Sequence, residues 1–374
     1  MVDEFHSVRH TVLVLGGYGF FGERISAALS RNPRIRLLIA GRRIDKCVAA
    51  VAALGLPRSD AVALDATDPQ LVDQLTALGV QTMVHTAGPF QRQGYEVARA
   101  AIQAGCNYID LADGRHFVSG IETLDREART HAVTVISGAS SVPALSSAVV
   151  KHLRPQFARV DAIRVGIASG ARAPGLATVR GVFGYCGKPI RRLENGTWVT
   201  TYGWLDLHRH RFPPPLGSRW MGSCDVPDLE LFPRHYDSVH TVAFHAGFAS
   251  DVGHLVVWSL AALTKAKIIR DVTAFAPLLN RISCWIEPIV SDKGGMFVTL
   301  DGIGHDGSAL QKTWSLLAAR NHGPYIPCGG AIALVNKLVA GNPLQKGAMP
   351  CVELLTVKEY LEPLRELEVS EVSE

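Results

Sequence analysis

The sequence contains few cysteines, and they do not form a motif that binds a metal or exchanges disulfides. Its seven cysteines are scattered between Cys47 and Cys351 without a C-x-x-C pair. A disulfide framework or a zinc site would bring them into regular spacings, so the sequence predicts neither. We therefore expect a protein of a reducing compartment that has no structural metal.

The chain also lacks the features of a secreted or membrane-spanning protein. Its first ten residues include Asp3, Glu4 and Arg9 and have no apolar stretch of the signal-peptide kind. The longest apolar run in the second half, residues 255–263, falls well short of the roughly 20 residues that a membrane helix needs. These absences predict a cytoplasmic protein with no integral membrane segment.

A strong excess of charge of one sign is absent as well. The chain has 38 basic and 34 acidic residues, which gives a formal net charge of +4. Its basic residues form only one short run, at residues 208–211. Since proteins that bind nucleic acid usually present a basic patch or stripe, this balance argues against nucleic acid as a partner.

What the sequence does have is enough apolar material for more than one core. Of 374 residues, 47% are hydrophobic and 19% are charged, as in globular proteins. A chain of this length exceeds the usual size of one domain. We predict a nucleotide-binding domain over residues 1–145, a substrate and oligomerisation domain over residues 146–322, and a C-terminal segment, residues 323–374, that returns to the first domain.

The first part of the chain alternates between strand and helix patterns. Short apolar runs that predict strands lie at residues 11–15, 36–40, 61–64, 80–85, 107–111 and 133–136, with helical patterns between them, the last at 120–130. Such alternation predicts an α/β fold with a Rossmann-type doubly wound parallel sheet.

After residue 140 this alternation of strand and helix patterns ends. Strand patterns at 161–168 and 296–302 and helical patterns at 251–266, 268–280 and 331–339 predict a second, α+β domain.

A glycine motif lies between the first predicted strand and the first predicted helix. It fits G-x-G-x-x-G and consists of Gly17, Tyr18, Gly19, Phe20, Phe21 and Gly22. Gly17 permits the tight turn, Gly19 lets the backbone approach a pyrophosphate, and Gly22 allows the helix to pack closely on the strand. The following helix would present its N–H groups to the phosphates. The alternative is a glycine turn that binds no ligand.

The end of the second predicted strand indicates which dinucleotide would bind. An NAD enzyme places an acidic residue there, whereas this chain has Arg42 and Arg43. Two guanidinium groups can hold a 2′-phosphate, which favours NADP(H) over NAD(H), although NAD remains possible. The alternative is a pair of solvated surface arginines. Asp65, after the third strand, either accepts a hydrogen bond from the adenine amino group or caps a turn near Thr67.

A loop of small residues follows the fourth predicted strand. Ala87, Gly88, Pro89 and Phe90 would let the backbone pass under the nicotinamide ribose, because ligands bind at the carboxyl ends of parallel strands. An ordinary connecting loop is the alternative.

Taken together, these motifs resemble the saccharopine dehydrogenase-like oxidoreductases. The resemblance spans about residues 10–150, in the order 16–22, 40–42, 86–90, 108–111 and 138–143. It implies an NADP-binding Rossmann domain with a second domain inserted before the chain returns near Gly323. It does not identify the substrate. Relatives often have Gly-Glu where this chain has Asp113 and Gly114, so no acidic role is carried over to that place.

The candidate catalytic residues follow the fifth predicted strand and would emerge at the ligand-binding edge of the sheet. His116 would exchange a proton, Asp113 would hold that proton or bind a substrate amine, and Arg115 would bind a carboxylate. The alternative is a polar loop that faces water. In the second domain, polar residues without motif support lie next to apolar or glycine-rich segments; they are Arg172, Arg180, His240, His245, His254 and Lys293.

These observations favour an NADP(H)-dependent oxidoreductase that acts as a homodimer. It would transfer a hydride to or from a small or medium organic substrate, either an amino acid-derived imine or a carbonyl compound. Two alternatives stay open. One is a non-catalytic NADP(H)-binding sensor or structural protein, and the other is an enoyl or lipid-linked reductase, which the aromatic second domain suggests.

Overall fold

The structure, a computed structural model, describes residues 9–170, 181, 183–270, 272–275, 281, 291–342 and 344–373. Six strands form most of the first sheet. They are β1 (His10–Leu15), β2 (Ile35–Gly41), β3 (Ala61–Ala63), β4 (Thr82–His85), β5 (Asn107–Asp110) and β6 (Thr134–Ser137). Five of them consist largely of buried residues, as parallel strands covered on both faces require, whereas the edge strand β3 is only partly buried.

Six helices connect and cover these strands. They are α1 (Gly22–Leu29), α2 (Ile44–Ala53), α3 (Leu71–Ala77), α4 (Glu96–Gln103), α5 (Arg115–Ser119) and α6 (Asp125–Thr130). The helix predicted at 120–130 is instead a 3₁₀ turn, Ile121–Leu124, followed by α6. No pattern in the sequence indicated α5. Phe117 and Val118 of this helix are buried, and their packing against the core stabilises the helical turn of an otherwise polar segment.

The second domain is built on a mixed sheet. After α7 (Ser146–Leu153) come β7 (Phe157–Ala168), β8 (Pro189–Glu194), β9 (Thr197–Tyr202), β10 (His208–Arg211), β11 (Ser218–Ser223), α8 (Asp228–His235), β12 (Thr241–Gly247), α9 (Asp251–Lys265), β13 (Gly294–Gly304) and β14 (Ala309–Ala318). The helical prediction for residues 251–266 is confirmed by α9. Of the predicted helix at 268–280, Val272–Phe275 forms a 3₁₀ turn, and residues 271 and 276–280 lie outside the described residues.

The C-terminal segment contributes to both sheets. It contains α10 (Gly329–Val339), β15 (Gly347–Pro350), α11 (Val357–Leu361) and β16 (Val369–Ser373). We expected this segment to return to the first domain, and there α10 packs on α1 and β15 pairs with β6. The last strand departs from that expectation, because β16 pairs with β14 of the second sheet.

The strand orders define the two domains. The first sheet runs β15-β6-β5-β4-β1-β2-β3, and all of its strands are parallel. This is the doubly wound order with one added edge strand, so the predicted Rossmann-type sheet is confirmed. The second sheet runs β10-β11-β12-β7-β13-β14-β16, and β8 and β9 form a separate hairpin. None of the helices in the described part of the chain combines the length and hydropathy needed to cross a bilayer.

Candidate functional site

The glycine turn joins β1 to α1 in a very compact arrangement. Gly16 has a φ of +83°, which favours glycine, and its N–H donates to the carbonyl of Ala40 at 2.8 Å. The N–H of Gly19 donates back to the carbonyl of Gly16 at 2.8 Å. A Cβ on Gly22 would lie 2.1 Å from that same carbonyl oxygen. Helix α1 therefore starts directly against the turn, and no side chain caps its first N–H groups. Such an end can bind an anion.

The aromatic residues of the motif differ in their positions. The ring of Tyr18 lies against Gly41, where an added Cβ would come within 2.5 Å of it, and the Lys46 ammonium is 5.6 Å from the ring centroid. The Tyr18 ring thus forms one wall beside the end of β2. Phe20 and Phe21 pack edge to face, with the guanidinium of Arg24 over the Phe20 ring.

The two arginines that follow β2, Arg42 and Arg43, have different surroundings. Arg43 donates to Asp45 through two bonds, Nε to Oδ1 at 3.2 Å and Nη2 to Oδ2 at 2.6 Å, and this bonding lowers the pKa of Asp45. Asp65 accepts from the N–H and the hydroxyl of Thr67, at 3.0 and 2.9 Å. These bonds lower the pKa of Asp65, and the nearby positive charge of Arg42 adds a smaller effect. Arg42 is therefore the guanidinium on the side of Asp65.

The loop after β4 is held by backbone and amide contacts. The N–H and hydroxyl of Thr86 both donate to the carbonyl of Leu15 at 2.9 Å, which ties the loop to β1. The side-chain amide of Gln93 donates to the carbonyls of Ala87 and Pro89, at 2.8 and 3.1 Å. The ring of Phe90 is buried, so its side chain belongs to the core rather than to an open ligand surface. Its neighbours Ala87, Gly88 and Pro89 are less buried and can line a site.

Under this loop lies a buried polar cluster. His85 is fully buried with its Nδ1 3.0 Å from the Tyr108 hydroxyl, and burial lowers its pKa to about 4. Asp110, at the end of β5, is also fully buried, and burial raises its pKa to about 6. Its Oδ1 accepts from Ser137 Oγ and from the N–H groups of Ala112 and Gly138, at 3.0, 2.9 and 2.8 Å.

Asp110 thus connects the ends of β5 and β6. No sequence motif predicted a role for it. The available signal was a single acidic residue at the end of an apolar strand, which is more typical of a structural anchor than of a surface residue.

The candidate catalytic residues lie close together but in different surroundings. Asp113 is half-buried, accepts from the Gln91 amide at 3.0 Å, and has its pKa raised by burial. His116 is exposed on α5. Arg115 is buried at the first position of α5, between these two. Only Asp113 and His116 therefore retain access to a ligand from outside.

Arg115 does not have the surroundings that we expected of a substrate-binding residue. Its Nη1 donates to the carbonyl of Arg191 at 2.7 Å and to Asp225 at 3.2 Å, and its Nη2 donates to Glu230 at 2.8 Å. All three partners belong to the second domain. Because two carboxylates already neutralise this guanidinium, the geometry corrects the prediction that it is free to bind a substrate carboxylate; Arg115 joins the two domains instead.

Two residues of the second domain lie near Asp113 or near its partner Gln91. A Cβ on Gly181 would lie 2.9 Å from the Gln91 amide nitrogen, so this part of the second domain touches the loop after β4. Burial raises the pKa of Tyr185 well above its usual value, with smaller contributions from the neighbouring Cys224 and from the charges of Asp113 and Asp225. Tyr185 was missed from the sequence, because no motif marks it.

The remaining polar candidates lie elsewhere in the second domain. His245 Nε2 is 3.5 Å from Asp206, and His254 is fully buried beside Trp204. Arg172 and Arg180 lie outside the described residues. Within those residues, no three histidine, cysteine or acidic side chains gather as metal ligands. A cavity of about 700 Å³ lies away from the glycine turn, between α7, β14 and the C-terminal segment.

Comparison with known proteins identifies the first domain. Residues 12–141 match the family model of the saccharopine dehydrogenase NADP-binding domain. A probable mitochondrial saccharopine dehydrogenase-like oxidoreductase of Arabidopsis thaliana is 30% identical in an alignment of 149 residues, and the match covers 36% of this chain and 33% of that protein. The chain thus matches about a third of the length of this relative. The predicted family resemblance and the NADP-binding domain are confirmed.

Solved structures extend the likeness to the whole fold. The L-Glu-forming saccharopine dehydrogenase of Saccharomyces cerevisiae superposes with a TM-score of 0.68 at 13% identity, over 98% of this chain and all of that one. The amine dehydrogenase of Mycobacterium smegmatis does so with a TM-score of 0.51 at 12% identity, over 93% of this chain and 96% of that one. At these identities the likeness shows the fold alone.

Proposed function

Since its first domain is a saccharopine dehydrogenase NADP-binding domain, we propose that this chain is an NADP(H)-dependent oxidoreductase. It transfers a hydride between the nicotinamide and a small or medium organic substrate, an amino acid-derived imine or a carbonyl compound, at the cleft between the two domains. The observation that carries this proposal is the position of Asp113, which follows the carboxyl end of β5 and accepts a hydrogen bond from Gln91, the residue next to Gly181 of the second domain. Ligands of such sheets bind at that edge.

The residues at this edge fit the dinucleotide. Gly17 and Gly22 let the turn pack tightly against β1, β2 and α1, and we expect a pyrophosphate to approach the backbone at Gly19, next to the start of α1, where the N-cap residue makes no side-chain cap. We expect Arg42 to bind a 2′-phosphate. The backbone of residues 87–90 would pass under the nicotinamide ribose. When bound, the cofactor supplies or accepts the hydride, and the protein orients the substrate and manages one proton.

Side chains at the proposed cleft hold and exchange the transferred proton. Asp113 binds a substrate amine or holds the transferred proton, because burial raises the pKa of its carboxyl and makes that proton easier to hold than in water. His116, which is exposed, exchanges the proton with solvent. Tyr185 lies close enough to feel the charge of the same carboxylate. Arg115 acts as a positioning residue, since it fixes α5 to the second domain.

A substrate screen tests this proposal. NADPH consumption is followed with oxoacid and amine mixtures, simple ketones and enones, and the Asp113→Asn variant is compared with Asp237→Asn, which changes an exposed carboxylate of the second domain. We expect turnover with an imine or carbonyl substrate, and a loss of at least about 100-fold in kcat for the Asp113 variant alone.

Other results of this screen favour other functions. Tight NADPH binding without turnover across the panel would favour the sensor, and turnover of enones only would favour an enoyl reductase. We further propose that the chain works as a homodimer in the cytoplasm. Because the Arabidopsis relative is described as mitochondrial, fractionation of cells that express the native protein tests the compartment.

A further inference from the structure

The surface of helix α9 is apolar on two opposite sides. The inner side carries His254, Val257 and Ala261, which are buried; the ring of His254 meets that of Trp204, with 5.8 Å between the centroids. A surface helix normally has polar residues on its outer side, and a helix that is apolar all round is normally buried. The outer side of α9 therefore has the composition of a covered surface.

The outer side forms one stripe that spans the helix. It contains Val252, Val256 and Leu263, with exposed fractions of 72%, 44% and 38%, and Leu255, 39% exposed, lies beside them. Among the described residues, seven large apolar side chains are exposed, and four of them belong to this helix. Clustered exposure of this kind marks an interaction surface.

The charges at the ends of α9 indicate what covers it. The helix begins with Asp251 and ends with Lys265, and Lys267 follows. A second α9 in antiparallel orientation would bring the acidic beginning of each helix to the basic end of the other. The helix dipoles then also oppose each other favourably. Asp251 uses Oδ2 for Arg209, and a carboxylate can accept from a second cation through its other oxygen.

The middle of the stripe allows close approach of two such helices. Ser259 is the small residue between Val256 and Leu263, and its hydroxyl donates to the carbonyl of Leu255 at 2.9 Å. Since that hydrogen bond stays within one helix, burial of Ser259 leaves no donor without a partner. Small residues at a crossing point let helix axes approach to about 8–10 Å.

We propose that two copies of this chain pair through antiparallel α9 helices, with the twofold axis near Ser259 and with Val252, Val256 and Leu263 in the contact. An isologous contact needs a self-complementary surface, and an apolar stripe with opposite charges at its two ends is one. This inference rests on the homodimer proposed above and does not depend on the cofactor or on catalysis.

Sedimentation of the cofactor-free full chain tests the surface. Wild type is compared with Val256→Glu and with Ile44→Glu, a matched control in the first domain whose exposed fraction, 45%, nearly equals that of Val256. We expect wild type and Ile44→Glu to be dimers, and the dissociation constant of Val256→Glu to rise at least about tenfold, because a charge is then buried against apolar side chains.

Cross-linking tests the geometry independently of the dimer's strength. Near the axis, the two copies of Ser259→Cys would be close enough to form a disulfide. The two copies of Val252→Cys, seven residues from the axis, would lie about 21 Å apart. The cysteines in the described ranges are all buried, and wild type oxidised in parallel reports any background.

Rapid oxidation to a dimer by the Ser259 variant but not by the Val252 variant supports the proposal. Equal cross-linking of both variants would overturn the antiparallel arrangement. A dimer that Val256→Glu leaves intact would overturn the α9 surface while the homodimer stands. A monomeric wild type at high micromolar concentration would overturn both the α9 surface and the homodimer. Binding of α9 to lipid vesicles in that case would not rescue either proposal.

Discussion

Arg43 and Asp45 form a two-bond ion pair at the start of α2, whereas the charge of the neighbouring Arg42 acts on Asp65. We therefore propose Arg42 as the arginine that binds a 2′-phosphate. The two arginines are equivalent in the sequence. The structure distinguishes them, because a guanidinium already bonded to a carboxylate must give up those bonds before it can bind a phosphate.

We predict that Arg42→Ala lowers the preference for NADPH over NADH by about 10-fold to 100-fold, since one charge-assisted contact to the phosphate is lost. Arg43→Ala should change this preference less than about threefold. Fluorescence titration of both variants with both nucleotides measures the ratio. Equal effects of the two substitutions would refute the assignment to Arg42.

Gly22→Ala should destabilise the first domain and abolish nucleotide binding. The added Cβ would come within 2.1 Å of the Gly16 carbonyl oxygen, so α1 must move away from the turn, at a cost of about 1–3 kcal/mol or more. Gly323→Ala is the control, because nothing lies within 4 Å of its added Cβ. Urea unfolding and NADPH titration measure the two effects. Normal NADPH affinity in the Gly22 variant would contradict the proposed cradle.

Arg115→Met should cost about 3–5 kcal/mol of the free energy of unfolding, because Asp225 and Glu230 lose their shared cation in a mostly buried place. Arg31→Met also breaks a long-range ion pair, to Glu366, but both of those side chains are at least 70% exposed. That control should cost less than about 1 kcal/mol. Urea denaturation compares them. Similar small losses in both variants would show that Arg115 does not join the domains.

Stability should depend on pH through Asp228. This carboxyl is fully buried, and burial raises its pKa to about 7, above the ordinary value of 3.8. Its protonated form is the one the fold favours. The stabilisation is therefore complete below the unfolded pKa and is lost as pH rises towards the folded pKa.

Relative to wild type, Asp228→Asn should become more stable by up to about 3 kcal/mol between about pH 5 and about pH 8, at roughly 1.4 kcal/mol per pKa unit. Urea unfolding of both proteins at the two pH values measures this change in the stability difference. Groups that titrate in the same way in both proteins do not contribute to it. A difference that does not change with pH would mean that Asp228 is ionised in the folded protein.

The sequence predicted the first domain well because its signals are local. The buried strands, the glycine turn and the arginines each lie within a few residues, and their meaning follows from backbone geometry and strand periodicity. The position of Asp113 after β5 was predictable for the same reason.

The partners of Arg115 were not predictable, because Asp225 and Glu230 lie more than a hundred residues away and belong to no motif. The second sheet was also seen only in part. Strands such as β10, with the sequence His208–Arg211, have no apolar alternation, so their pairing is decided by neighbours and not by their own residues. The edge strand β16 is another such case.

The shared C-terminal segment has a practical consequence for anyone who wishes to produce the nucleotide-binding half alone. A fragment cut after residue 145 would lose β15, and the peptide groups of Thr134–Ser137 along that side of β6 would then have no neighbour. Open strands of this kind attract other chains and cause aggregation. A well-behaved fragment would need residues 329–350 joined back on by an artificial linker.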